Sequence, residues 1–308
     1  IHTHLPPAFY RSLRGQTGYL VGGAHRALAH YAIAATGWPL DDPHGFALDP
    51  ERAQRHCRAI LRSGVSGPVP GASAARVQAL PDTAALLRAL LRRLAPSGLV
   101  FSSWGLREGL LQTALPARIR AADPLLTGVS AFARRLDAGA DPVAAMVAWA
   151  GGAFAARDAG ETRLRLASAW LALALQRVEP NLRPSEALHW ALQKRWIGID
   201  AAGRALLATT LLADTGRGAL PEALVRLCDA EALRRARAWG IALRLCRRFS
   251  ALAPGALAAS RLIAGNGRLV LSLDPVLRAL PGDGTERDLR ALAALLELDA
   301  QVHIAQPD

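Results

Sequence analysis

The stretch from Gly98 to Leu111, Gly-Leu-Val-Phe-Ser-Ser-Trp-Gly-Leu-Arg-Glu-Gly-Leu-Leu, constrains the fold more than any other part of the chain. Leu99, Val100 and Phe101 form an apolar run short enough to be a buried strand. Ser102, Ser103, Trp104 and Gly105 break it, and Leu106 to Leu111 have helical character. A strand that turns sharply into a helix at a glycine aims the free N–H groups of the first helical turn at one point, which suits an anion. In open α/β sheets, ligands sit at such corners, beyond the carboxyl ends of the strands. The plainer alternative is an ordinary crossover in which Arg107 and Glu108 pair with each other.

A second corner of this kind lies upstream. Thr17 to Val21 reads as a strand, Gly22 and Gly23 permit close backbone approach, and a helix is expected from about Ala24 to Ala35. Asp49 followed by Pro50 signals the start of another helix, whose arginines Arg52, Arg55, Arg58 and Arg62 form a solvated face. After a Gly/Pro/Ser loop over 64–72, Asp82 is expected to cap a helix with Leu86, Leu87, Leu90, Leu91 and Leu94 in its apolar stripe. Two strand–glycine–helix corners with helices between them make half of an α/β domain. His25 and His30 have no carboxylate or nucleophile at a diagnostic spacing, and His2 and His4 belong to a chain end, so none is assigned to catalysis or metal binding.

From about Ala117 the sequence turns helical. Asp123-Pro124 and Asp141-Pro142 read as N-cap-plus-proline starts. Helices are expected over 161–177, 200–212 and 229–250. In the last of these, Arg234, Arg237, Arg244 and Arg248 fall along one face. A tail follows with a hairpin signal at Gly265-Asn266-Gly267, a helix carrying Leu289, Leu292, Leu295 and Leu296, and a short strand at 302–304.

The 308 residues, 51% hydrophobic and 20% charged, describe a globular chain rather than a disordered one. The most apolar stretches, 143–156 and 167–175, fall short of the ~20 residues that cross a bilayer, so no membrane is expected. Cys57, Cys228 and Cys246 are widely spaced, with no metal pattern, which reads as a reduced, cytoplasmic protein. The formal charge is +12, and Lys194 is the only lysine. Arginine forks suit phosphate, so a phosphate-rich partner is expected, although composition bias alone would also raise the arginine content. Nucleic acid is disfavoured: the 229–250 helix is basic but has neither aromatic interleaving nor a helix-turn-helix pattern.

Ser102 to Leu111 resembles the Arg-Glu-Gly signature of the exopolyphosphatase/guanosine pentaphosphate phosphatase (Ppx/GppA) family, and Val21 to Ala29 resembles its strand–Gly-Gly–helix element, with Ala24 where Thr is common. Arg76 with Leu80-Pro81, the run Ala122 to Leu126, and Gly198-Ile199-Asp200 with Gly203-Arg204-Ala205 are similar to further family segments, in the same order. The resemblance implies an α/β plus all-α chain. Residues 1–117 would be the second half of an actin-like (ribonuclease H-like) phosphate/nucleotide-binding domain, 118–255 a helical HD-like domain, and 256–308 a small α+β unit. It implies binding of phosphate or nucleotide by Gly22, Gly23, Arg26, Ser102, Gly105, Arg107 and Glu108.

The family's activity, release of terminal phosphate from polyphosphate or guanosine pentaphosphate, uses Mg²⁺ to spread phosphoryl charge. Mg²⁺ is expected for the full-length enzyme, and a homodimer is compatible with the resemblance. The family's catalytic loops and glutamate precede the Gly-Gly element, and nothing similar occurs here, so the chain is expected to begin inside a longer reading frame and no catalytic residue is assigned. In the helical domain Glu179-Pro180 replaces a common His-Pro; His189, Asp200 and Asp214 remain without a His-Asp pair, and no metal is expected there. The alternative is a non-catalytic module that binds polyphosphate or an alarmone nucleotide. The purified chain is expected to release no phosphate from long-chain polyphosphate with Mg²⁺; turnover above a heat-killed control contradicts this.

Overall fold

The computed structural model describes residues 11–305, so His2 and His4 lie outside the described residues. The chain divides into two compact units, residues 1–122 and 123–308. The tail expected to form a small α+β unit over 256–308 falls within the second.

The first unit is built on β1 (Thr17–Val21), β2 (Ala47–Leu48) and β3 (Gly98–Ser102), in the order β1-β3-β2. β1 runs parallel to β3, with Val21 opposite Ser102, and β2 runs antiparallel to it. Its helices are α1 (Gly23–Thr36), α2 (Pro50–Ser63), α3 (Ala74–Gln78), α4 (Leu80–Leu94), α5 (Leu106–Ala114) and α6 (Ala117–Arg120). Leu99 and Phe101 point from β3 into a core shared with Leu28 of α1, Ile60 of α2 and Leu87 of α4. Asp49 caps α2 by accepting from the Glu51 and Arg52 amides, because an aspartate one residue before a helix reaches the donors that lack helical partners. Asp82 does not cap α4: the helix starts two residues earlier, at Leu80, with Pro81 in the first turn, where its missing N–H costs nothing.

The second unit starts with α7 (Pro124–Arg134), α8 (Ala140–Gly151) and α9 (Ala159–Ala174). Next come α10 (Arg183–Leu188), α11 (Ala201–Thr215), α12 (Glu222–Val225), α13 (Ala230–Ser250) and α14 (Pro254–Ala258), with α15 (Asp283–Leu295) in the tail. Asp123 caps α7 and also receives the guanidinium of Arg163. Asp141 is not the cap of α8; extended Gly139 takes that place and its carbonyl accepts from Val143, which leaves Asp141 in the first turn, where a negative charge suits the helix dipole. Arg204 in α11 closes the segment before it, donating to the carbonyls of Ala191, Leu192 and Lys194.

α11 and α13 pack closely because Gly240 carries no side chain: a Cβ there would overlap the Thr210 carbonyl oxygen and come within 2.8 Å of Ala213 Cβ. Trp239, beside it, is buried and donates to Ser168 Oγ at 3.1 Å. The tail holds a second sheet of β4 (Ser260–Gly265), β5 (Arg268–Leu273) and β6 (Asp299–Ile304), ordered β4-β5-β6. Asn266 at φ 49° and Gly267 at φ 73° make the tight turn between β4 and β5, both in the left-handed region that this hairpin type requires. β6 returns parallel to β5 by way of α15.

Replacing Gly240 with alanine overfills the α11–α13 contact against backbone that cannot step aside. We expect a loss of about 1–3 kcal/mol, read as a lower urea midpoint with an unchanged slope.

Candidate functional site

In the first unit the parallel register of β1 and β3 brings both glycine corners to one end of the sheet. Gly22 follows β1 at φ 107°, ψ 163°, a conformation open only to glycine, and its carbonyl accepts from the Arg26 amide to start α1. Gly23 is close-packed: a Cβ on it would lie 3.1 Å from Arg76 Nε, so the Arg76 guanidinium rests against the first turn of α1. Arg26 Nε is buried and has no partner among the described residues. His25 Nδ1 donates to the Val21 carbonyl at 3.0 Å, while its Nε2 is buried without a partner among them. The start of α1 therefore combines free amides, two guanidiniums and an imidazole.

The other corner is tied up internally. Ser102 Oγ donates to the Trp104 carbonyl at 2.8 Å and accepts from the Trp104 amide at 3.1 Å, which locks the turn. Glu108 Oε2 accepts from the Gly105 amide at 2.7 Å, so the family-like Arg-Glu-Gly sequence serves here as a helix cap. That amide holds the Glu108 carboxyl below its ordinary range. Arg107 is well exposed and only 3.7 Å from Glu108, a loose ion pair. Gly105 is closely packed: a Cβ on it would lie 3.3 Å from Val21 Cγ1.

Beside these corners lies a polar cluster that no local motif predicts. Asp42 Oδ1 accepts from the His44 amide at 3.0 Å and from Ser103 Oγ at 3.3 Å, and His44 Nδ1 accepts from the Ser103 amide at 3.2 Å. Asp, His and Ser meet, but not as a nucleophilic relay. The serine hydroxyl donates to the carboxylate, and the imidazole nitrogen that faces Ser103 is occupied by an amide. Fold pairing across β2 and β3 creates this cluster, and no local motif announces it. His30 is also near: burial pushes its imidazole down, Asp42 pulls it up, and Arg26 and Arg76 push it down again, so Arg26, Arg76 and Asp42 share one electrostatic neighbourhood.

Among the described residues, no three or more His, Cys, Asp or Glu side chains gather where a metal could sit, so the corner offers Mg²⁺ no protein cage. In the second unit Asp200 caps α11 through the Gly203 amide, and Asp214 pairs with Arg247. Arg234, Arg244 and Arg248 of α13 are engaged by Glu231, Asp288 and backbone carbonyls, instead of forming a free basic face. The three cysteines are free thiols, and burial pushes Cys57 up to about 11 and Cys246 up to about 12. No helix among the described residues is long and apolar enough to cross a membrane.

No family model matches the chain, and no curated protein resembles it significantly.

Gly22→Ala forces an L side chain into the glycine-only region. It should destabilise the first unit by about 1–3 kcal/mol in urea denaturation. Because the folded Glu108 carboxyl is held low, its cap stabilises above the ordinary glutamate range and is lost as pH falls. The wild type should therefore lose more stability on acidification than Glu108→Gln; parallel curves contradict this.

Proposed function

We propose that the chain is a segment of a Ppx/GppA-type phosphohydrolase, which as a whole would release terminal phosphate from polyphosphate or guanosine pentaphosphate. In this reading the first unit is the second half of an actin-like phosphate/nucleotide-binding domain, and the helical part of the second unit has an HD-like fold without its metal ligands. Arg76 supports it most directly. Its guanidinium lies against Gly23, where the first turn of α1 presents unpaired amides, and Arg26 adds a buried Nε without a partner. Backbone donors and forked cations converging at the carboxyl end of a parallel strand pair suit a phosphoryl oxyanion. Gly22 and Gly23 let the oxyanion approach the backbone, and Arg26 and Arg76 supply charge. Gly105, Ser102 and Glu108 shape the neighbouring corner, and Arg107 reaches outward from it.

A second reading, a phosphate-binding module that does not hydrolyse, is favoured by the engagement of both polar groups at the α5 corner. The Ser102 hydroxyl and the Glu108 carboxylate are held by backbone groups, so neither is poised as nucleophile or base.

Gly23→Ala tests the phosphate reading, because the added methyl displaces the Arg76 guanidinium while leaving the helix intact. Binding of the nonhydrolysable analogue imidodiphosphate to the full chain should weaken by roughly tenfold in Gly23→Ala and in Arg76→Gln. Unchanged binding in both variants removes the corner from phosphate recognition.

A further inference from the structure

A second cationic site lies wholly within the second unit. Arg183, Arg244, Arg247 and Arg248 line one cavity of about 570 Å³ together with Asp214 and Thr215. Arg244 is held by the protein through all three nitrogens: Nε and Nη2 donate to Asp288 at 3.1 and 2.7 Å, and Nη1 donates to the Ala213 carbonyl at 2.5 Å. The others are not. Arg183 gives Nε to the Val178 carbonyl at 2.9 Å and Nη2 to that of Gln176 at 3.2 Å, while Nη1 finds no acceptor among the described residues. Among the described residues Arg247 gives only Nη1, to Asp214 Oδ1 at 2.6 Å, and Arg248 only Nη1, to Asp288 and the Gly284 carbonyl. Four guanidiniums thus converge on a cavity that a single carboxylate lines.

Asp214 is the second observation. Its side chain is fully buried, and Oδ2 has no hydrogen-bond partner among the described residues. A buried carboxylate oxygen left unpaired is costly unless something meets it. Burial pushes this carboxyl up, against the pull of Arg247, Arg244 and Arg183. Ala251 and Leu252, which end α13 in consecutive left-handed conformations at φ 47° and 60°, also line the cavity.

We propose that this cavity binds an oligophosphate, with Arg183 and Arg247 as its main ligands, Arg248 beside them and Asp214 holding Arg247 in place. Forked donors match phosphoryl oxygens, and the volume falls in the range of small-molecule pockets, well beyond the needs of a single chloride. An inorganic chain and the tail of a nucleoside triphosphate share this chemistry. The site is independent of the phosphate reading of the first unit, with which it shares no residue.

The test reads each arginine separately. The full chain is treated with phenylglyoxal in the presence of tripolyphosphate, GTP or inorganic phosphate, and modified arginines are located by peptide mass mapping. Protection of Arg183 and Arg247 by tripolyphosphate is expected, with GTP protecting better if the source is a nucleotide and less well if it is an inorganic chain. Calorimetric titration should then show binding weakened by roughly tenfold in Arg183→Gln, and likewise in the double variant Arg247→Gln, Asp214→Asn, which avoids leaving a buried carboxylate unpaired. Circular dichroism checks that each variant folds. Protection confined to Arg26 and Arg76 overturns this site and leaves the first-unit reading standing. Absence of protection by all three anions, or protection of Arg183 and Arg247 with unaltered affinity in folded Arg183→Gln, overturns it as well.

Discussion

The arginines of one long helix, Ala230–Ser250, close charge-assisted hydrogen bonds onto several neighbouring segments, and the second unit depends on them. Arg235 reaches Glu161 at the start of Ala159–Ala174; Arg244 and Arg248 share Asp288 of Asp283–Leu295; Arg247 holds Asp214 at the end of Ala201–Thr215. Asp288 and Asp214 are almost fully buried, so removing either partner would leave a desolvated charge. Gly240 lets the same helix approach Thr210 closely, and the buried Trp239 lies under the Arg165 guanidinium at 4.7 Å. On this helix the arginines are therefore not a solvated coat: much of their charge is structural.

The arginines given a role in phosphate recognition are localised. In the first unit they sit at the start of Gly23–Thr36, where Arg26 and Arg76 accompany free helix amides. In the second they are Arg183 and Arg247, which line one cavity. By contrast, Arg52, Arg55 and Arg58 project from a helix whose opposite face is buried in the core and serve no evident site. Phosphate recognition, as proposed, uses fixed donor arrays more than bulk charge, which is the difference between a binding site and a basic surface.

Much of the fold was legible wherever the cause was local. The strands Thr17–Val21 and Gly98–Ser102 follow from short apolar runs ended by glycine. The caps Asp49 and Asp123 follow from a carboxylate placed one residue before a helix that opens with proline, whereas Asp200 and Asp229, expected as the first residues of their helices, lie one residue outside them as caps. Asp82 and Asp141 broke that rule because proline tolerates several places in a first turn, so its presence does not fix which residue is the cap. The candidate site was legible in part. Gly22 and Gly23 stood out through backbone freedom, but Ser102 and Glu108 turned out to be held by their own turn, a detail of side-chain geometry that spacing does not encode. The Asp42, His44 and Ser103 cluster and the Arg183 cavity join residues far apart in sequence, and only the fold brings them together.

Amide chemical shifts in a titration with tripolyphosphate test the central claim most directly, because they report every site in one experiment. Localised donor arrays should give saturable shifts clustered at Gly22 to Arg26, with a second cluster around Asp214 and Arg247. Shifts of similar size spread over exposed arginines such as Arg52, Arg55 and Arg62, without saturation at either cluster, would contradict it.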